Sequence, residues 1–405
     1  MQQLGVNTIR VYNLDANLDH SACASIFNAA GIYMIIDVNS GLYGMYIDRS
    51  DPASTYTSDY LQHVFGIIEN FAPFPNTLGF FGGNEILNQN SSYEAPAYIR
   101  AVVRDMKMYI SNNIGRDIGV GYSAADVDTM LADTWNYLGC DLSNSTMSNI
   151  DFFGLNDYEW CGDSSYTQSG YDKLAAQFSG TNIPVFFSEY GCNNVEPRTF
   201  SNVPVLYGPD MSVLSGGLVY EYSEETDNYG LVNINSSTEL SLIVDYNYLK
   251  QEYDQFNIAQ LQSINPSATA APPTSCAASI IAESTFLNAW DLPAAPSAAS
   301  AMITKGVSTG FVKGSIVQVS ETTMPATVLN NTGATITGLS LVQLMCTDSN
   351  YPGLISGYQS SSVSCAYATT QPPKASSTKK SGAVRVELHE LGVVTAILAM
   401  AVILL

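Results

Sequence analysis

Short apolar runs rich in β-branched and aromatic residues alternate with helix-like stretches along the first half of the chain. The runs cover residues 6–12, 32–38, 77–83, 118–122, 150–156, 183–189 and 215–221. Between them lie amphipathic stretches such as 93–112, where apolar residues recur at helical spacing. Alternation of buried strands with helices is typical of a parallel sheet, and this number of units over roughly 220 residues favours a closed barrel. A closed barrel needs eight strands, so we predict an α/β fold, a (β/α)8 TIM barrel lacking its first strand.

The amino-acid composition changes after the barrel, and these changes divide the chain into five parts. We assign residues 1–264 to a catalytic barrel and 265–275, rich in Pro, Ala, Ser and Thr, to a linker. Residues 276–367 show weak period-two alternation and predict a small β-rich module. The Ser/Thr/Pro/Lys-rich stretch 368–383 predicts a disordered tail, and residues 384–405 predict a membrane-anchor signal.

The two ends of the chain carry different targeting information. Residues 392–405 are apolar and follow a polar spacer and the small triplet 381–383, which together form the pattern of a glycosylphosphatidylinositol (GPI) anchor signal. We expect attachment at Ser381, with Ser376 or Ser377 as alternatives; a short tail-anchor helix is the other interpretation. The first residues contain no export signal. We therefore expect that the true N-terminus, with the missing strand, precedes Met1.

Charge and cysteine content narrow the function classes. Acidic residues outnumber basic ones 37 to 15, and the net charge of −22 repels phosphate backbones, so nucleic acid is excluded as a partner. The seven cysteines form no CxxC pair, and only three histidines are present, which disfavours a zinc site. Glycosylation acceptors favour an extracellular protein, and they lie at Asn90, Asn144, Asn235 and Asn330.

Two glutamates follow strands at positions suited to catalysis. Asn84 and Glu85 end the run 77–83, and Glu189 ends the run 183–189. Catalytic groups of parallel barrels lie at the carboxyl ends of the strands. Glycosidic bond cleavage uses one protonated and one ionised carboxyl group, and an amide such as that of Asn84 can hold the sugar 2-hydroxyl. The alternative for either glutamate is a solvated loop residue or an acid at a helix N-terminus.

Further polar and aromatic residues cluster at the same strand ends. They are Tyr12, Asp37, Tyr158, Trp160, Tyr220 and Tyr222. Sugar faces stack on aromatic rings, so the tyrosines are candidate substrate contacts; the alternative is that they are packing residues of the barrel.

Six segments, in order, carry a resemblance to a known family. They are GVNTIRVY (5–12), AGIYMIID (30–37), FGGNE (81–85), NDYEWCG (156–162), FSEYGC (187–192) and GLVYEY (217–222). Over residues 4–255 the chain resembles glycoside hydrolase family 72, the fungal β-1,3-glucanosyltransferases that elongate wall glucan. The resemblance implies Glu85 as acid/base and Glu189 as nucleophile. It also places six residues around the donor sugar: Asn84, Tyr12, Asp37, Tyr158, Tyr220 and Tyr222.

The resemblance also implies secretion, a GPI anchor in the outer membrane leaflet, β-1,3-glucan as donor and acceptor, and no cofactor. It pairs Cys161 with Cys192 and Cys140 with Cys276, and it leaves Cys23 without its upstream partner; we infer Cys346–Cys365 from the remainder. We expect a retaining transglycosidase acting on internal β-1,3 linkages. The alternatives are an endo-β-1,3-glucanase and a catalytically dead, wall-anchored glucan-binding protein.

Overall fold

The computed structural model describes residues 1–89, 92, 94–143, 145, 147–264, 271–307, 310–345 and 348–358, with the backbone of two short strands at 385–386 and 398–403. Several sequence-based predictions lie outside the described residues. They concern the acceptors Asn90 and Asn144, the Cys346–Cys365 disulfide, the attachment site Ser381, and most of the stalk and anchor signal.

Seven parallel strands form the barrel predicted from the sequence. They are β1 (Thr8–Val11), β2 (Tyr33–Asp37), β3 (Thr77–Asn84), β4 (Gly119–Ala125), β5 (Phe153–Asp157), β6 (Val185–Tyr190) and β7 (Gly216–Val219). Each pairs in parallel with the next in chain order. β-Branched and aromatic side chains favour this extended conformation, because they pack well on a pleated surface. The prediction of seven barrel strands is therefore confirmed.

The remaining strands are short. They are β8 (Val232–Ser236), β9 (Glu239–Leu242), β10 (Gln318–Val319), β11 (Thr327–Leu329), β12 (Thr335–Ile336), β13 (Arg385–Val386) and β14 (Leu398–Ile403). Strand β14 lies antiparallel between β1 and β7 and completes the barrel, while β8, β9, β11 and β12 form a separate sheet. Pairing with β14 gives hydrogen-bond partners to the strand edges of β1 and β7. That residues 384–405 act as an anchor signal concerns processing and stays a prediction.

Helices cover the outside of the barrel. They are α1 (Ser21–Ala29), α2 (Pro52–Thr55), α3 (Ser58–Phe71), α4 (Pro96–Asn113), α5 (Leu131–Gly139), α6 (Tyr171–Gln177), α7 (Val203–Leu206), α8 (Val244–Tyr253), α9 (Ile258–Ser263) and α10 (Ser297–Lys305). Helix α3 begins after Thr57, whose hydroxyl accepts from the Tyr60 N–H. Helix α4, predicted at 93–112, starts at Pro96, where a missing N–H costs nothing. No helix among the described residues is long and apolar enough to cross a membrane.

Two apolar clusters stabilise the barrel. The larger one lies between strands and helices and includes Phe65 of α3 stacked on Tyr109 of α4 at 4.3 Å between ring centroids. The smaller one lies inside the barrel and consists of Ile35, Phe81, Phe186 and Leu218. Complete burial of such side chains contributes about 1.5–3 kcal/mol each. The inner cluster closes the barrel beneath the carboxyl ends of the strands, where the polar residues gather.

The segment after the linker packs against the outside of the barrel. Helix α10 contacts α3 and α4, and the backbone N–H groups of Val312 and Leu344 donate to Ala16 and Ala29. Its strands β10, β11 and β12 have only two or three residues. That this segment is an independent β-rich module stays a prediction.

Candidate active site

Glu189 lies at the end of β6 and is only 8% exposed. Its Oε1 accepts hydrogen bonds from Tyr12 Oη at 2.9 Å and Arg10 Nη1 at 3.1 Å. Its Oε2 accepts from Tyr158 Oη at 2.8 Å. Three donors, two from β1 and its end and one from the end of β5, therefore stabilise the ionised form of this carboxylate.

Glu85 follows β3 in a backbone conformation unusual for its residue type. Its φ is +47°, in the left-handed region, which costs a non-glycine residue about 1–2 kcal/mol. Its N–H donates to Ser123 O at 2.8 Å, and its Oε1 accepts from Asn156 Nδ2 at 2.8 Å. Backbone strain of this kind persists where the surroundings hold it, commonly at functional sites.

Irregular strand pairing places the site residues. The register shifts between Phe81 and Asn84 on the β4 side of β3, and again just before Asn156 where β5 pairs with β6. A third shift lies between Phe187 and Tyr190, which brackets Glu189. Bulges re-aim side chains at barrel rims, so these shifts direct the polar groups into the mouth of the barrel.

Arg10 is the centre of the site, and the sequence analysis missed it. Its guanidinium makes a bidentate pair with Asp37, with Nε to Oδ2 at 2.6 Å and Nη2 to Oδ1 at 3.0 Å. The same group donates to Glu189 Oε1 and to Asn84 Oδ1 at 2.9 Å. The side chain is fully buried, so these partners replace its water shell. A basic residue inside the apolar run of β1 was the available signal.

The amides link the two glutamates. Asn156 donates to Glu85 Oε1 and to Asn84 Oδ1, while its own Oδ1 accepts from Arg10 Nη1 at 3.4 Å. Both contacts of Asn84 fall on its oxygen, and we find no acceptor for its NH2 group among the described residues. That this group binds the substrate stays a prediction.

Aromatic rings form one wall of the site. Tyr12 meets Tyr220 edge-on at 6.3 Å between centroids, and Tyr229, which the sequence analysis missed, packs against both Tyr158 at 5.7 Å and Tyr220 at 5.3 Å. Tyr222 packs instead against the apolar core beside this wall. Asp37 faces Arg10 with both of its oxygens. The substrate contacts predicted for Asp37 and for the four tyrosines Tyr12, Tyr158, Tyr220 and Tyr222 all stay predictions.

Opposing effects act on the pKa of Glu189. Burial raises the pKa of Glu189, and the charge of Glu85 raises it further, whereas Arg10 and the two tyrosine hydroxyls act in the opposite direction. Burial and the charge of Glu189 raise the pKa of Tyr158 far above its usual range. The Tyr158 hydroxyl therefore remains a donor at every physiological pH.

A second pair of acids lies beside the site, at the ends of β4 and β5. Burial and the neighbouring Asp126 raise the pKa of Asp157, which is 1% exposed, well above the usual value. Burial, with the charges of Asp128 and Glu159, raises the pKa of Asp126 to about 6. Like charges so close cannot both ionise readily, so this pair holds a proton next to the strand end that carries Tyr158.

Both disulfides that the resemblance implied are present. Cys161–Cys192 joins the loops that follow β5 and β6, and Cys140–Cys276 joins the end of α5 to the C-terminal segment. Cys23 is a free thiol. Within the described part of the chain, no group of three or more His, Cys, Asp or Glu side chains is arranged to hold a metal ion.

Fold and site together define a class of protein. A parallel barrel with a carboxylate pair at the ends of β3 and β6 and tyrosines around it is a glycosidase-type enzyme. A family model described as glucanosyltransferase matches residues 1–257. The chain belongs to this family, glycoside hydrolase family 72.

Relatives in fungi agree with the assignment. The 1,3-beta-glucanosyltransferase gel2 of Aspergillus fumigatus is 52% identical over 354 residues, which are 87% of this chain and 74% of that protein. GAS3 of Saccharomyces cerevisiae is 45% identical over 83% of this chain and 66% of its own length. Gas2p of Saccharomyces cerevisiae, solved with laminaritetraose and laminaripentaose, is 35% identical with a TM-score of 0.63, over 73% of this chain and 64% of that chain.

Proposed function

We propose that this chain is a retaining 1,3-beta-glucanosyltransferase. It cleaves internal β-1,3-glucan linkages and transfers the glycosyl unit to another β-1,3-glucan chain, which elongates cell-wall glucan. The observation that carries the proposal is the setting of Glu189, which receives three hydrogen bonds and is linked to Glu85 through Asn156 and Arg10. The names of the relatives support the substrate.

In the first step Glu189 attacks the anomeric carbon and forms a glycosyl ester. The bond from that carbon to the bridging oxygen breaks, and Glu85 gives its proton to the departing oxygen. In the second step the hydroxyl of an acceptor glucan attacks the same carbon, Glu85 takes its proton, and the Glu189 carboxylate leaves. The number of glycosidic bonds is unchanged, and one chain becomes longer.

The surrounding residues adjust charge during these steps. Arg10, Tyr12 and Tyr158 stabilise the Glu189 carboxylate before attack and as it is released. The partly exposed Glu85 accepts one amide hydrogen bond, from Asn156, and is assigned the acid/base role. Asn84, whose Oδ1 accepts from Arg10 and Asn156, offers its NH2 group to the sugar 2-hydroxyl, a bond that would strengthen in the transition state.

Location is the other part of the proposal. The apolar tail, spacer and small triplet support a GPI anchor at the extracellular face of the plasma membrane. The neutral glucan is compatible with a net charge of −22, whereas an anionic polymer would be repelled.

Incubation with a reduced laminari-oligosaccharide tests the reaction. Transfer yields products longer than the substrate, whereas an endo-β-1,3-glucanase yields only shorter ones, and mass spectrometry separates the two. Glu189→Ala should abolish the covalent intermediate, and Glu85→Gln should slow its formation and breakdown. Glu94→Gln is the matched control, because Glu94 is exposed and follows the same strand. Wild-type turnover in Glu189→Ala would refute the assignment.

A further inference from the structure

The loop after β2 presents two adjacent apolar side chains to solvent. Leu42 is 65% exposed and Tyr43 is 93% exposed, the largest value among the large apolar side chains of the described residues. Single exposed apolar residues are ordinary on protein surfaces. Two successive exposed apolar residues are less ordinary, particularly on a loop that follows a strand carrying site residues.

This loop is held firmly on both sides of its exposed tip. Before the tip, Asn39 accepts from Tyr60 Oη at 2.6 Å, and the Gly41 N–H donates to Asn13 Oδ1 at 3.1 Å. After the tip, Ile47 is buried, and the Asp48 N–H donates to Thr55 Oγ1 at 2.9 Å. Inside the loop, the Ser40 N–H donates to Met45 O at 2.9 Å. The tip is therefore an ordered turn that holds its side chains away from the core.

The loop also lies along the rim of the site. Its first anchor, Asn13, directly follows Tyr12, which bonds to Glu189. The strand that leads into the loop, β2, ends at Asp37, which pairs with Arg10. The loop therefore begins at the rim on the side of Tyr12 and Glu189.

We propose that the Leu42–Tyr43 tip is a glucan-binding subsite outside the catalytic centre, with the Tyr43 ring as a platform for one sugar face. This inference rests on the proposed function, because it takes the same polysaccharide. A glucan cleaved at an internal linkage carries sugar units on both sides of the reacting bond, and those units must cross the rim. A glucose unit presents an apolar face of C–H groups to an aromatic ring, and this contact requires no charged side chain.

Binding to a catalytically slowed parent tests the subsite. In the Glu85→Gln chain, the affinities for laminaritriose and for a long laminari-oligosaccharide are measured by calorimetry. Adding Tyr43→Ala should weaken binding of the long ligand by roughly 3- to 10-fold, the range of an aromatic contact, and leave laminaritriose binding unchanged. Tyr43→Phe should retain the affinity. Leu287→Ala, which removes another exposed apolar side chain (49% exposed), should change neither affinity.

The outcomes separate the two proposals. If the Glu85→Gln chain binds neither ligand, the proposed function fails and the subsite with it. If it binds both and Tyr43→Ala leaves the long ligand unaffected, or weakens both ligands equally, the subsite alone is wrong. The tip could instead mediate self-association or lipid binding. Tyr43→Ala would then change sedimentation or vesicle binding without changing the dependence of glucan affinity on chain length. That result would also overturn the proposed subsite.

Discussion

Replacing Arg10 by methionine tests the organisation of the site most directly. Methionine has an unbranched, apolar side chain, so the change removes the charge and its hydrogen bonds and leaves part of the packing. The Asp37 carboxylate loses its ion-pair partner, and the Glu189 carboxylate and the amide oxygens of Asn84 and Asn156 each lose one donor. Asp37 is affected most, because it is 3% exposed and both of its oxygens face Arg10.

The expected loss of stability follows from this burial. Removing one partner of a buried ion pair leaves an uncompensated charge, which costs about 3–5 kcal/mol. Arg10→Met should therefore lower the free energy of unfolding by about that amount in urea titrations. The double variant Arg10→Met/Asp37→Leu should recover much of the loss, because apolar replacement of a whole buried pair is often neutral. Activity should not recover, because Glu189 still lacks its cationic partner.

The pH profile separates the structural effect from the electrostatic one. Arg10 lowers the pKa of Glu189, so its removal raises that pKa further. The nucleophile must be ionised, so activity is lost as the pH drops through the pKa of Glu189. In the folded double variant this loss of activity should occur at a higher pH than in the wild type. Arg10→Lys keeps the charge without the bidentate geometry and should shift the profile less.

Two results would refute this reasoning. A free energy of unfolding within about 0.5 kcal/mol of wild type in Arg10→Met would show that the Asp37 charge needs no partner. An unchanged acid limb of kcat/KM in the double variant would show that Arg10 does not control the ionisation of Glu189.

Other perturbations have equally definite outcomes. Tyr158→Phe removes one hydrogen bond to the Glu189 carboxylate, worth about 1.5–3 kcal/mol, so kcat/KM should fall by roughly 10- to 100-fold; an unaltered value would contradict that contact. Asp126, whose pKa is raised to about 6, gives up its proton in the fold only at higher pH than in the unfolded chain, so stability decreases as pH rises from about 4 through 6. Asp126→Asn should flatten this decrease in thermal melts, and an identical slope in both proteins would exclude the effect. Replacing Cys140 and Cys276 by serine opens a link between residues 136 positions apart and should cost about 4–5 kcal/mol in urea unfolding; an unchanged midpoint would count against that bond as a stabilising one.

The positions of the two glutamates could be predicted because they depend on local pattern and one topological rule. Each follows an apolar run that is long enough for a strand, and parallel strands end on the same face of a barrel. The polar positions at Asn84 and Tyr158 followed from the same rule. Helix α4 could also be predicted from the sequence, because its apolar residues recur at helical spacing over many turns.

The sequence by itself determined the order of the seven parallel strands and the carboxyl edge at which Glu85 and Glu189 lie, because these follow from periodicity and chain direction; the antiparallel strand β14 between β1 and β7 did not follow from it. Only the tertiary structure decided which groups meet across the mouth of the barrel. Arg10 stands 179 positions from Glu189 along the chain, and its role depends on register shifts in β3, β5 and β6 that no local pattern encodes. The left-handed backbone of Glu85 and the acid pair of Asp126 and Asp157 also depend on tertiary contacts, since each is sustained by contacts between neighbouring barrel strands.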